Sequence, residues 1–351
     1  MPRALRIEYE EAIYHVMARG NQRRDIVFDG ADRQLFVDTF AEACGRTEWR
    51  VYAWVLMSNH YHMVFRTPKA NLVSGMTWFQ NTFTRRMNAK NKLWGRWFGD
   101  RYKAVLVDPD GSASAGPASK AVHQVGYLPT LIDYVHLNPA RARIVCPATR
   151  PGDSLLDYPW SSLAQAYAKP PSKRAGWMAT AEGLEILGER DTATGRRRYL
   201  EGLDDRARQE TSRKLGVVEI EGQTLQSTLR RVWYWGSQAF REALLERFGP
   251  QMREKAKAYR TVRSSGQLQD SAKRDVKNIL RSGKAALGLT DEMIAHPKRL
   301  RGDLRRSAIA WAIWTRTSGV TQQWIAEELN LSSAPNVCQR VRHFSSLSPK
   351  L

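Results

Sequence analysis

His60, Tyr61 and His62 form a short pattern whose residue types could do chemistry. On an extended strand residues i and i+2 share a face, so both imidazoles project side by side while Tyr61 points the other way. Two neutral imidazoles at that spacing supply half of a divalent metal site. A packed pair of histidines explains the same spacing, and a third ligand separates the two readings. Pro129 to Asn138 (PTLIDYVHLN) offers one. If this run is helical, Tyr134 and Asn138 lie one turn apart on one face, with Leu131, Ile132 and Val135 anchoring the other. A phenol there could be a covalent nucleophile, and an amide oxygen could complete a His-His-Asn triad. Equally, Tyr134 could be a half-buried aromatic and Asn138 a helix cap before Pro139. Asp133 and His136 open a third possibility, a hydrolase using His-bound zinc and water.

These side chains need elements to hold them. Ala12 to Met17 (AIYHVM) and Arg50 to Met57 (RVYAWVLM) are short, aromatic and β-branched, and Tyr61 to Arg66 follows a Ser58-Asn59 turn; all three predict strands. Between the first two, Leu35, Phe36, Phe40, Ala43 and Cys44 recur at helical spacing, with Asp29 or Asp32 as cap. Leu72 to Asn91 predicts a basic amphipathic helix, Tyr102 to Val107 a strand, and Pro129 to Leu137 a helix ended by Asn138-Pro139. The order β-α-β-β-α-β-α predicts an α+β fold, a small antiparallel sheet with helices on one face, followed by a mostly α-helical C-terminal region.

The chain has 351 residues, with 55 Lys and Arg against 35 Asp and Glu, a formal charge of +20. Such an excess makes nucleic acid the leading partner class. No run approaches the roughly 18 apolar residues of a spanning helix, and Met1 to Glu10 lacks the apolar core of a secretory signal; no membrane role and a cytoplasmic location are expected. Cys44, Cys146 and Cys338 are unpaired in pattern and read as reduced packing residues. Trp78, Phe79, Phe83, Trp94 and Trp97 interleave with Arg85, Arg86, Lys90, Lys92 and Arg96, a composition suited either to stacking bases over a basic track or to an ordinary core.

Residues 1–147 read as one domain carrying these motifs, with a flexible insertion of small residues over about 108–126. A Pro- and Trp-rich strap follows over 148–180, then a basic helical region over 181–300, where Gln251 to Ser307 holds 15 Lys or Arg against 6 Asp or Glu. Over 301–351 an apolar stripe at Ala308, Ile309, Ala312 and Ile313 precedes a helix opened by Thr321 and a second from Pro335 to Phe344. The pair has the pattern of a helix-turn-helix for duplex DNA, with Gln339 and Arg340 facing the groove and Arg301, Arg305, Arg306 and Arg342 as phosphate contacts. A plain αα-hairpin has the same pattern.

The run MSNHYHMVFRTP (Met57 to Pro68), followed by DYVHLNPARARIV (Asp133 to Val145), resembles the single-tyrosine HUH transposases, above all their REP-associated branch. RGNQRRDIVF, RYKAVLV and DYPWSS extend the resemblance over about Ala4 to Trp160. It implies a ferredoxin-like domain in which Tyr134 is the nucleophile and His60, His62 and Asn138 hold a divalent metal, Mg²⁺ or Mn²⁺, with Lys103 as a basic neighbour. It further implies cutting and rejoining of single-stranded DNA beside hairpins through a 5′-phosphotyrosine, by a monomer or homodimer associated with the nucleoid. The C-terminal end is similar to the DNA-binding domain of the bacterial replication initiator. The insertion before the tyrosine helix leaves open whether Tyr134 serves its own subunit or a partner. A DNA-binding regulator derived from a transposase, no longer cutting, is the alternative of another class.

Overall fold

Four strands, buried over most of their length, build the sheet: β1 (Ala12–Arg19), β2 (Arg50–Leu56), β3 (His60–Thr67) and β4 (Lys103–Val107). They lie in the order β2-β3-β1-β4, all neighbours antiparallel. The computed structural model describes residues 6–99, 101–110, 126–150, 152–212, 219–220, 223–224, 229, 232–258, 266–296, 304–317 and 320–347. The register pairs Met17 with His62 on one side and with Lys103 on the other, and Arg19 with His60. Directly paired residues share a face, so His62, Met17 and Lys103 form one row across the sheet.

Helix α1 (Gly30–Thr47) opens at Asp29, whose carboxylate accepts the Asp32 N–H at 2.7 Å. It packs with α2 (Leu72–Asn91) on the face that carries Tyr61. Phe36, Phe40, Phe79 and Phe83 are wholly buried there, which assigns Phe79 and Phe83 to the core. The third helix, α3 (Tyr127–His136), lies on the opposite face beside His15 and His62. The α+β class holds, but helices cover both faces of the sheet instead of one. Nor does Asn138-Pro139 end the helical path: α4 (Asn138–Arg141) follows after Leu137. Pro139 sits in its first turn, where a missing N–H costs little.

The strap residues satisfy the open edge of β2. Leu56 N–H donates to Trp160 O at 3.0 Å, Ala179 N–H to Val51 O at 2.8 Å, and the Tyr167 hydroxyl to Tyr52 O at 2.8 Å. Next come α5 (Thr180–Ile186), α6 (Ala193–Ser212), the two-residue strands β5 (Glu219–Ile220) and β6 (Gln223–Thr224), and β7 (Tyr234–Trp235). β7 runs parallel to β4 and makes the sheet five-stranded, in a region expected to be helical. Asp108, expected in the flexible insertion, is buried; its carboxylate accepts from the Ser237 N–H at 3.0 Å and hydroxyl at 2.7 Å, fastening β7. Within that insertion, residues 111–125 lie outside the described residues.

The chain divides into two compact units between Arg241 and Glu242. From Gln238 onward it is helical: α7 (Gln238–Ala258), α8 (Gly266–Leu287), α9 (Asp291–Ala295), α10 (Arg305–Arg316), α11 (Gln322–Glu328) and α12 (Ala334–Leu347). Val276, Ile309, Ile313, Ile325, Leu329, Val337 and Val341 share one core in the second unit. Thr321 caps α11 by accepting the Trp324 N–H at 3.2 Å. Two of the arginines read as phosphate contacts are used internally. Arg306 is buried and donates to Asn330 O at 3.0 Å, closing the end of α11, and Arg305 donates to Leu287 O at 3.3 Å. Arg301 lies outside the described residues. Among the described residues, no helix is long and apolar enough to cross a membrane.

Candidate active site

On β3 the alternation puts His60 and His62 on the α3 face, ring centroids 5.3 Å apart, and buries Tyr61 on the other, where its hydroxyl accepts from Gln80 Nε2 at 2.9 Å. Each imidazole is held through Nδ1. His60 Nδ1 meets Asn59 Oδ1 at 2.7 Å, and His62 Nδ1 meets Nε2 of His15 at 3.0 Å. His15 comes from β1, fully buried and stacked on His62 with centroids 5.2 Å apart. Burial, with Lys103 adding repulsion, pushes its pKa down to about 3 and keeps it neutral.

Neutrality makes the proton positions interdependent. For His62 to offer Nε2 to a cation, its proton must sit on Nδ1 and point at His15 Nε2, so the His15 proton must sit on His15 Nδ1. That nitrogen is buried and has no hydrogen-bond partner among the described residues. An imidazole fixed through Nδ1 with Nε2 turned outward is how ligating histidines are commonly held. Among the described residues no three His, Cys, Asp or Glu side chains gather as a metal group, so a cation here would take oxygen donors besides the two imidazoles. Such a mixed set suits Mn²⁺ well.

Tyr134 is buried on α3, its ring edge-on to His62 at 5.6 Å and to His15 at 6.0 Å. The Arg141 guanidinium lies 4.9 Å above the phenol ring, and its Nη1 donates to Tyr134 O at 3.2 Å. Asn138 is one turn on, as its spacing requires, and its Nδ2 donates to the same carbonyl at 2.8 Å. Asp133 and His136 turn away from the histidine pair. His136 sits between Ser162 Oγ at 2.7 Å and the Tyr199 hydroxyl at 2.8 Å, and that hydroxyl donates to Asp133 at 3.0 Å, with Arg206 as a second partner of Asp133. Burial lowers the His136 pKa to about 3. This network anchors α3 from behind and leaves neither residue for a zinc site.

A cavity of about 570 Å³ brings His60, His62, Lys103 and Tyr134 together; Asn138 is not among its lining residues. Lys103 is half-buried, and desolvation lowers its ammonium to about 8. Arg19, Arg23 and Arg101 add positive charge to the walls. Arg23 arrives through a tight loop: Gln22 and Arg23 have φ of 54° and 64°, and a Cβ on Gly20 would meet Arg24 O at 2.0 Å. Arg85 and Arg86 do not line the cavity. Arg86 forks onto Glu42 at 2.7 and 3.0 Å, and Arg85 is exposed on α2 across the sheet. His15, Arg19, Arg101 and Arg141 escaped sequence reasoning. His15 and Arg19 become visible only through the β1–β3 register, whereas Arg141 could have been found two helical turns after Tyr134.

Residues 8–114 match the family described as Transposase IS200 like. The matched segment, less than half of the chain, holds both histidines and Lys103 and ends before Tyr134. Among curated proteins none matches the chain significantly. Among solved structures it is similar to a REP-associated tyrosine transposase bound to a REP hairpin, at 15% identity over 50% of this chain and 92% of that one, with a TM-score of 0.37.

Proposed function

We propose that the chain is a metal-dependent endonuclease and strand-transferase for single-stranded DNA at hairpins, working through a 5′-phosphotyrosine on Tyr134. One observation carries the reading: the Tyr134 ring stands 5.6 Å from His62 in a cavity shared with His60 and Lys103. The hairpin as substrate rests on the motif resemblance described above. The Tyr134 hydroxyl oxygen attacks the scissile phosphorus, a P–O bond forms, the bond to the 3′ oxygen breaks, and that oxygen leaves with a proton as a free 3′-OH. Since the new phosphotyrosine is again a phosphodiester, a second 3′-OH can reverse the step and join new ends.

An ordinary phenol holds its proton to about pH 10. Near pH 8 a share of Lys103 is neutral amine and accepts that proton, while the Arg141 charge above the ring favours negative charge developing on the oxygen. His60 and His62 would hold a divalent cation, Mg²⁺ or Mn²⁺, and Asn138, which does not line the cavity, is the third ligand that the motif resemblance implies. When bound, the cation supplies positive charge to a non-bridging oxygen of the scissile phosphate. His15 fixes the His62 tautomer, and Arg19 and Arg101 attract the DNA backbone.

In the second unit, Val337 and Val341 of α12 face the core while Gln339, Arg342 and His343 are exposed and Arg340 is partly so. We read this face as the contact to duplex DNA. The decisive experiment for the cutting activity is a denaturing gel of the protein with labelled hairpin-bearing single strand and Mn²⁺. Wild type should give a covalent adduct and Tyr134→Phe none, with hairpin binding nearly unchanged. An adduct that survives in Tyr134→Phe overturns the assignment and points to Tyr127, whose ring packs on Trp235 with centroids 5.4 Å apart. Binding without any adduct in wild type would favour the silent regulator.

A further inference from the structure

The three most exposed large apolar side chains among the described residues are Trp94 at 95%, Phe28 at 61% and Leu93 at 54%. They belong to two segments that are joined. Phe28 touches Trp97 with centroids 5.6 Å apart, Asn21 N–H donates to Trp97 O at 2.9 Å, and Gly99 N–H donates to Arg19 O at 3.1 Å. The 92–99 loop is a fixed one. Trp97 Nε1 donates to Asn88 Oδ1 at 2.6 Å, Asn88 Nδ2 to Gly95 O at 3.1 Å, and Phe98 is buried against Tyr61 and Phe83. Holding Trp94 almost wholly in water on such a support costs apolar hydration, and contiguous exposed apolar groups of this kind mark interaction sites.

The surroundings of the patch identify the occupant. Arg23, Arg24, Lys92 and Arg96 are exposed on the same two segments, with Asp25 as an exposed acid among them, and Lys90 pairs with Asp29 and with Asp32, so the two segments carry net positive charge. Gly20, Asn21, Arg23 and Gly99, which carry or join the two segments, also line the cavity that holds Tyr134. Aromatic faces among cations, continuous with a site for the DNA backbone, fit unpaired nucleobases better than another protein. We propose that Trp94, Phe28 and the exposed part of Trp97 form a ledge that stacks the bases of the single strand flanking the scissile phosphate. The ledge rests on the single-strand reading of the cavity and adds where the strand runs outside it.

The test is fluorescence anisotropy of a labelled unpaired oligonucleotide with the full chain. Stacking on an aromatic side chain is worth about 1–3 kcal/mol per base, which corresponds to a loss of about 5- to 150-fold in affinity per stacked base. Trp94→Ala should therefore weaken binding at least about fivefold, Trp94→Phe should restore most of it, and Phe28→Ala should weaken it in the same direction. Oligonucleotides with abasic positions on one flank should bind wild type and Trp94→Ala alike, because the stacked base is gone from both. The thermal transition should not move, since neither side chain is buried. Unchanged affinity in Trp94→Ala and Phe28→Ala, while wild type binds the strand and forms the Tyr134 adduct, overturns the ledge alone. Equal affinities together with a change in mass by light scattering assign the patch to a second copy of the chain and also overturn it. Failure of wild type to bind any single strand overturns both the ledge and the reading of the cavity.

Discussion

Lys103→Met makes the conflict between stability and function at the cavity measurable. The Lys103 ammonium is lowered from its ordinary 10.5 to about 8 by desolvation. Full transmission of that difference would amount to about 3.4 kcal/mol against the charged form. The side chain is only half-buried, and solvent screening reduces the effect to roughly 1–2 kcal/mol. Methionine keeps an unbranched stem of similar length and carries no charge, so the variant should be more stable than wild type by that amount at pH 7. The sign with pH follows from proton binding. Between pH 8 and 10.5 the unfolded chain holds more protons at this site than the folded one, so wild-type stability rises with pH in that window relative to the variant. The advantage of Lys103→Met is thus complete below pH 8 and gone above about 10.5.

The assay is urea unfolding of the full chain, wild type and variant side by side, at pH 7, 8 and 9.5, following the transition that the substitution moves. In parallel, adduct formation at pH 8 should fall at least about tenfold if, as proposed, the Lys103 amine accepts the phenol proton. A variant less stable than wild type at pH 7, or a stability difference that is the same at pH 7 and 9.5, would refute the burial argument. Undiminished adduct formation would remove Lys103 from the chemistry.

Other outcomes are expected on the same grounds. His60→Ala or His62→Ala should abolish cleavage and Mn²⁺ binding read by electron paramagnetic resonance, and chelation of wild type should stop cleavage until Mn²⁺ is returned; activity that persists in excess EDTA would exclude the metal. Within that series His15→Leu, which removes the partner of His62 Nδ1, should weaken Mn²⁺ binding about tenfold or more. Gln339→Ala with Arg340→Ala should weaken duplex binding and reduce its log–log salt slope by about one, because the double variant neutralises one phosphate fewer, while leaving the Tyr134 adduct intact. An unchanged slope would mark α12 as a packing helix.

The elements with strong periodicity were legible from sequence. β3 declares its two faces through His60 and His62 against Tyr61, α2 begins and ends at the residues its pattern predicts, and Asp29 caps α1 as its type suggests. What was hidden depends on partners distant in sequence. A two-residue strand such as β7 leaves no alternation to read, and its place beside β4 is set by Asp108 and Ser237. The role of His15 exists only through pairing with a strand some 47 residues away. Charge misled most: Arg86 answers Glu42 and Arg306 closes a helix end, yet both have the residue type of a phosphate contact.

The same distant partners bear on which subunit Tyr134 serves. Its helix is held by Leu131, Ile132 and Val135, all wholly buried, and by Asp133 and His136 through Tyr199, Arg206 and Ser162. Tyr199 and Arg206 lie on α6 and Ser162 on the strap that closes the β2 edge, so the anchors come from segments later in the same chain. None of them depends on the 111–125 segment that precedes the helix. A helix held by its own chain has no need of a short tether, and the ring so held stands beside His62 of that chain. An exchange of the helix between subunits would avoid unsatisfied buried polar groups, at roughly 1–3 kcal/mol for each, only by re-forming the Ser162-His136-Tyr199-Asp133 network on the partner. The long tether is therefore compatible with Tyr134 standing beside His62 of its own chain, the arrangement that this structure shows.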